Sequence, residues 1–208
     1  MTFQTSRRIA FVLSTIAAAT ALTACAPLLI GGAMVGGALM ATDRRTSGAQ
    51  VEDQAIELKA INRVREALGD RGHVSVTSYN RLVLLTGEVP AEADRVAVEQ
   101  VLARVENVRS TVNDLAVMGN SSLTSRSNDT ILTSKVKASF VDARDMLSNA
   151  FKVLTERGTV YLMGRVTERE AKRAADLARS ISGVQKVVRV FEIVTEAELA
   201  DLQPKAVK

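Results

Sequence analysis

The feature that most constrains this chain is that it repeats. Sliding the sequence by about 76 residues lays Ile56, Ala60, Val64 and Ala67 over Leu132, Val136, Phe140 and Ala143, two sets spaced as one face of a helix. With one more residue of offset, Val83, Leu85, Gly87 and Val89 fall over Val160, Leu162, Gly164 and Val166, alternating as a half-buried strand does. Val105, Val108 and Val112 then match Ile181, Val184 and Val188. Two units follow, 53–117 and 129–195, with a linker at 118–128 rich in Ser, Asn and Gly and a tail at 196–208. In the first unit the periodicity predicts a helix over 53–68, strands over 73–78 and 82–89, a helix over 91–103 and a strand over 108–117.

The order α-β-β-α-β dictates an α+β fold. A turn of about three residues makes the first two strands antiparallel, and a crossover helix makes the last strand parallel to the middle one. Each unit is therefore expected to be a mixed three-stranded sheet with two helices on one face. Units of about sixty-five residues have small cores, so docking of one on the other, or on a membrane, is expected to complete them.

The N-terminus reads as a secretory signal peptide over 1–24, with Arg7 and Arg8 before an uncharged apolar run from 9 to 22. That run of about fourteen residues is short of the roughly twenty that span a bilayer. Leu22, Thr23 and Ala24 precede Cys25, the only cysteine in the chain, and this segment resembles the bacterial lipobox. The resemblance implies cleavage before Cys25, a diacylglyceryl group on its thiol and a further acyl chain, such as palmitate, on its new amino group. Several chains give a stable anchor where one is marginal. Ala26, rather than an aspartate, follows the cysteine, so the expected destination is the periplasmic face of the outer membrane. Residues 25–52 read as a membrane-proximal spacer, apolar and glycine-rich over 26–42 and polar over 43–52.

Removing residues 1–24 takes away two of the 27 basic side chains and none of the 23 acidic ones. A mature chain so nearly neutral, without tryptophan and exported, is not expected to bind nucleic acid. Its lone thiol leaves it without disulfides. His73 is the only histidine and has no second histidine or cysteine for a metal or nucleophile cluster. Glu168 and Glu170, among arginines on a helix, read as solvated ion pairs. Neither an enzyme activity nor a cofactor is expected.

The segment from Val160 through Gly164 to Ala171, followed by Ser182, Gly183, Val184 and Val187, resembles the BON domain pattern, in which a strand reaches a glycine before a helix and a Gly-Val pair opens the last strand. That glycine is expected to ease the turn into the helix. The first unit keeps Gly87 and Val108, but has Asn80 and Arg81 in place of Arg157 and Gly158, and Asn107 in place of Gly183. With the lipobox, nearly all of the mature chain is similar to the dual-BON-domain outer-membrane lipoproteins associated with envelope stress and cell division. The resemblance implies binding of anionic phospholipid through the first helix of the second unit.

The residues of that helix can be read independently. At about 100° per residue, Leu132, Val136 and Phe140 share the core face, while Ile131, Ser134, Lys135, Ala138 and Val141 lie opposite. Apolar Ile131 and Val141 could insert among headgroups with Lys135 or Lys137 near phosphate; alternatively, Ile131 packs against the first unit. The family pattern has an aromatic residue near Ile131, which this sequence lacks. Residues 53–117 carry 8 basic and 10 acidic side chains, net −2, whereas 129–195 carry 12 and 8, net +4. The second unit is thus the one suited to an anionic surface. The competing expectation is a protein-interaction scaffold for outer-membrane assembly or division machinery.

Replacing Cys25 by Ala is expected to abolish acylation and either to release the protein from membranes or to leave it uncleaved. Metabolic lipid labelling with fractionation checks this, and an unlabelled wild type would refute the anchor.

Overall fold

The computed structural model describes residues 43–202; the expected signal peptide, Cys25 and the apolar spacer lie outside the described residues. The first domain runs α1 (Ser47–Leu68), β1 (His73–Tyr79), β2 (Leu82–Val89), α2 (Glu92–Leu102), β3 (Ser110–Asn113) and β4 (Ala116–Val117). The second runs α3 (Leu123–Asp142), a 3-10 turn (Ser148–Ala150), β5 (Lys152–Glu156), β6 (Thr159–Val166), α4 (Glu168–Ser180), β7 (Lys186–Ile193) and α5 (Glu196–Leu202). In each, the central strand pairs antiparallel with the strand before it and parallel with the strand after the crossover helix. The expected α+β architecture is present twice.

Several elements differ from expectation for local reasons. Both first helices start earlier than 53 and 129, because Thr46 and Ser122 cap them by accepting the backbone N–H of Ala49 and Ser125. The polar stretch 43–52 and the linker 118–128 are therefore largely helical. The hairpin turns contain two residues rather than about three, Asn80–Arg81 and Arg157–Gly158. All four have positive φ, as a type I′ hairpin requires. The strand expected over 108–117 breaks between β3 and β4, where Leu115 turns into the core. The tail begins as helix α5, with Thr195 and Glu198 hydrogen-bonded at its start. Gly87 and Gly164 lie within β2 and β6, not at the turn into a helix; a Cβ there would collide with the carbonyl of His73 or of Ala150.

A buried aspartate on each first helix holds the hairpin turn beneath it. Asp53 accepts the N–H groups of Asn80 and Arg81 at 2.7 and 2.8 Å and the Ser78 hydroxyl at 2.7 Å. Asp129 accepts those of Arg157 and Gly158, both at 2.8 Å. Burial works to raise the Asp53 pKa, but its hydrogen bonds from Ser78, Arg81, Arg45 and Asn80 outweigh this and hold it below the usual carboxylate value.

Each domain has its own core between sheet and helices, around Ile56, Leu85 and Leu102 in the first and Phe140, Leu162 and Ala174 in the second. A third core joins them. The faces of the two sheets away from these helices pack together through Tyr79, Leu84, Tyr161, Met163 and Val190. Asn80, in the turn before β2, donates to Glu192 near the end of β7, and Arg157, just before β6, pairs with Glu88 near the end of β2. The central strands β2 and β6 therefore run in opposite directions across the interface.

At one end of this interface the segment before α1 fastens both domains. Arg44 makes paired hydrogen bonds to Glu170 at 2.8 and 2.7 Å and a third to the carbonyl of Arg165. Next to it, Arg45 pairs with Asp43 and Asp53 and lies 4.2 Å over the Tyr79 ring. Glu170 is thus not a solvated ion pair: it is buried, bridging Arg44 and the capping box of α4 with Thr167. Glu168 is exposed and pairs with Arg189. Arg44→Ala would leave Glu170 buried without its partner, and we expect a loss of about 3–5 kcal/mol in urea unfolding. A loss below about 1 kcal/mol would mean that the clasp contributes no more than a surface ion pair.

Candidate functional site

Helix α3 faces both ways. Leu132, Val136 and Phe140 are buried against the sheet, with Asp129 tied to the hairpin. On the opposite side Leu123, Ile131 and Val141 are 80%, 55% and 69% exposed. At about 100° per residue these three share an arc of about 100° with Ser127, Thr130, Ser134 and Ala138, all exposed. Lys135 and Lys137, also exposed, lie on opposite edges of that arc. A 20-residue helix thus presents large apolar side chains spaced along a stripe of small polar ones, bordered by cations.

Two clefts flank this stripe. One of about 580 Å3 is lined by Ile131, Lys135, Arg157, Gly158, Gly183 and Gln185. The other, about 390 Å3, lies between the domains and is lined by Ser134, Lys137, Arg126, His73 and Glu156, among others. The structure therefore brings Ile131 and Lys135 to one cleft and Ser134 and Lys137 to the other. Ala138 and Val141 are exposed beyond both. Ile131 does not pack against the first domain; the other residues lining its cleft belong to the second.

Leu123 and Ser127 were not anticipated as part of this face, because the serine-rich composition of 118–128 reads as a linker. Ser122 directly before an apolar residue was the available signal, since serine is a favoured N-cap. Arg157 was also missed, because a hairpin turn brings it to α3.

The chemistry around the second cleft is uneven. Burial and then the Arg126 charge lower the His73 pKa against the opposing pull of Glu88, so the imidazole is neutral at neutral pH. Burial, reinforced by Glu88 and Asp129, pushes the Glu156 carboxyl up to about 7. Among the described residues, no group of three or more His, Cys, Asp or Glu side chains is placed to hold a metal ion. None of the described helices is long and apolar enough to cross a membrane.

Comparison with known proteins gives two matches to the BON domain family, over residues 53–119 and 128–195. The outer membrane lipoprotein DolP of Haemophilus influenzae is 38% identical over 195 residues, which cover 92% of this chain and 98% of that protein. The 21 kDa hemolysin of Actinobacillus pleuropneumoniae is 30% identical over 154 residues, 73% of this chain and 79% of that protein.

Proposed function

Because the chain belongs to the family of outer-membrane lipoproteins built from BON domains, we propose that it is a periplasmic-face module that binds anionic phospholipid through the outward side of α3. In this reading it supports envelope integrity, including at division sites and under envelope stress. The observation that carries the proposal is the placement of Leu123, Ile131 and Val141 on one exposed face between Lys135 and Lys137, on the domain of net charge +4.

A helix of this kind lies in the headgroup region rather than across the bilayer. Inserting an exposed leucine, isoleucine or valine is worth at most about 1.5–3 kcal/mol each at roughly 25 cal/mol per Å2, and each lysine near an anionic surface adds about 1 kcal/mol. The small side chains of Ser127, Thr130, Ser134 and Ala138 let the backbone approach the headgroups. Without an interfacial aromatic ring the contact is modest. Acyl chains on Cys25 would hold the helix at high effective concentration, so modest affinity suffices.

The scaffold reading draws on a different surface. Val51 and Leu58 on α1 are 63% and 66% exposed, and they offer a protein partner of the assembly or division machinery an apolar stripe away from α3.

The test uses the mature chain with Cys25 replaced by Ala, floated with liposomes of graded anionic content. Changing Leu123 and Ile131 together to Glu is expected to weaken binding by roughly tenfold or more, since it removes apolar insertion and adds repulsion from phosphate. Far-UV circular dichroism should stay unchanged, whereas Leu132→Glu, which buries a charge, should unfold the domain. Unchanged binding by the folded double variant would remove α3 as the lipid contact and favour the scaffold reading.

A further inference from the structure

The two ends of the domain interface are not equivalent. Where Arg44 and Arg45 fasten one end, the other gathers carboxylates. Glu88 on β2 is fully buried; its Oε2 accepts the backbone N–H and the hydroxyl of Ser121 at 3.2 and 3.1 Å. Its Oε1 stands 3.5 Å from Arg157 Nε, and among the described residues neither atom has a hydrogen-bond partner. Glu156, on β5 beside that turn, is buried to 7% exposure and lines the cleft of about 390 Å3.

The groups facing Glu156 come from every element around it. Asp129 and Arg126 approach from α3, Glu88 from β2 and Arg157 from its own hairpin. Tyr161 on β6 is near enough to feel its charge and donates to Asp114 of the first domain. His73 on β1 and Lys137 on α3 line the same cleft. With Glu156 ionised, three carboxylates share Arg126, Arg157 and the exposed Lys137, with a neutral imidazole beside them; with it neutral, the buried Glu88 and Asp129 are matched by the two arginines alone.

We propose that Glu156 is a proton-operated latch at this end of the interface: neutral, it lets the β5–β6 hairpin and the base of α3 seat against Glu88, and ionised, it loosens them while the Arg44 end stays fastened. Its titration near pH 7, set by burial and by Glu88 and Asp129, places the switch in the physiological range. The link to membranes rests on α3 being the membrane-contacting helix. An anionic surface at about −30 mV concentrates protons and lowers local pH by about half a unit, which moves a group titrating near 7 but not an ordinary carboxylate. Docking and latching would then favour each other.

The sign follows from linkage. The folded state holds the Glu156 proton up to about pH 7, whereas the usual carboxyl value is 4.5, so the contribution of this group to stability is fully present below 4.5 and is lost as pH rises through 7. His73, with its lowered pKa, has the opposite slope, so the informative quantity is the difference between wild type and Glu156→Gln.

The full-length mature protein in detergent is followed from about pH 5 to about pH 8. Expected are a Glu156 13C carboxyl midpoint near 7, a wild-type Tm falling by roughly 5–10 °C relative to Glu156→Gln across that range, and loss of amide protection over 118–130 at high pH in the wild type alone. An ordinary carboxylate midpoint, or parallel pH profiles in the two proteins, would overturn the latch. Should Glu156→Gln fold poorly, the carboxyl titration of the wild type decides by itself. On vesicles of phosphatidylethanolamine and phosphatidylglycerol, wild-type Cys25→Ala protein should lose roughly threefold more affinity over this range than its Glu156→Gln counterpart. Equal losses would sever the coupling to membranes; absence of binding in either would sink the lipid reading, while the solution titration still judges the latch.

Discussion

Each sheet in this protein has two apolar faces and one layer of helices to cover them, and the rest of the structure follows from how the second face is buried. Leu84, Tyr161 and Met163 are almost fully enclosed only because the two sheets meet. A domain of about sixty-five residues has little core to spare, and a bare sheet face would invite aggregation. Packing the repeat on its own copy, with the central strands opposed, removes that face from water. Among the described residues it also leaves all four crossover and first helices on the outside, with exposed faces on α1 and α3.

The order of elements and the buried face of each helix were legible because periodicity is a local property: Leu132, Val136 and Phe140 recur at helical spacing wherever the helix sits. The outward position of Ile131, Lys135 and Val141 was legible for the same reason. What was hidden is what long-range contact decides. Nothing near Glu170 announces Arg44, which lies 126 residues earlier. Without it a glutamate in an arginine-rich helix reads as a surface residue. The clefts beside α3 were likewise hidden, since Arg157 and Gly183 reach them from a hairpin and a loop. The early helix starts were obscured because Thr46 and Ser122 have the composition of loops, while their capping role depends on geometry.

The repeat also shows how far two copies of one fold have diverged. Thr46 and Ser122 are equivalent caps, Asp53 and Asp129 equivalent turn anchors, and Asn107 and Gly183 both take positive φ. Yet Tyr79, stacked under Arg45 at one end of the interface, corresponds to Glu156 at the other, and Arg45 corresponds to Ser121. Losing the cation and gaining a carboxylate turns a fastened end into one that titrates. The outer faces diverged too: Ala55 stands where α3 has Ile131, and Leu58 where it has Ser134.

That asymmetry suits a protein tied to its membrane. If both ends were ion-paired like the Arg44 end, α3 would be held in one place against the sheets whatever its surroundings. A weaker end at the base of α3 costs stability locally, but the shared sheet core and the Arg44 clasp keep the domains together while it adjusts. If α3 is the membrane-contacting helix, a surface of moderate affinity would be responsive, because a free-energy change of about 1 kcal/mol at the latch would alter binding several-fold, whereas the same change would be lost against an intrinsically tight contact already saturated by tethering. On the proposed lipid-binding reading, low intrinsic affinity, a lipid anchor and a titratable seam form a consistent set, in which the anchor would supply residence and the helix would supply discrimination between surfaces.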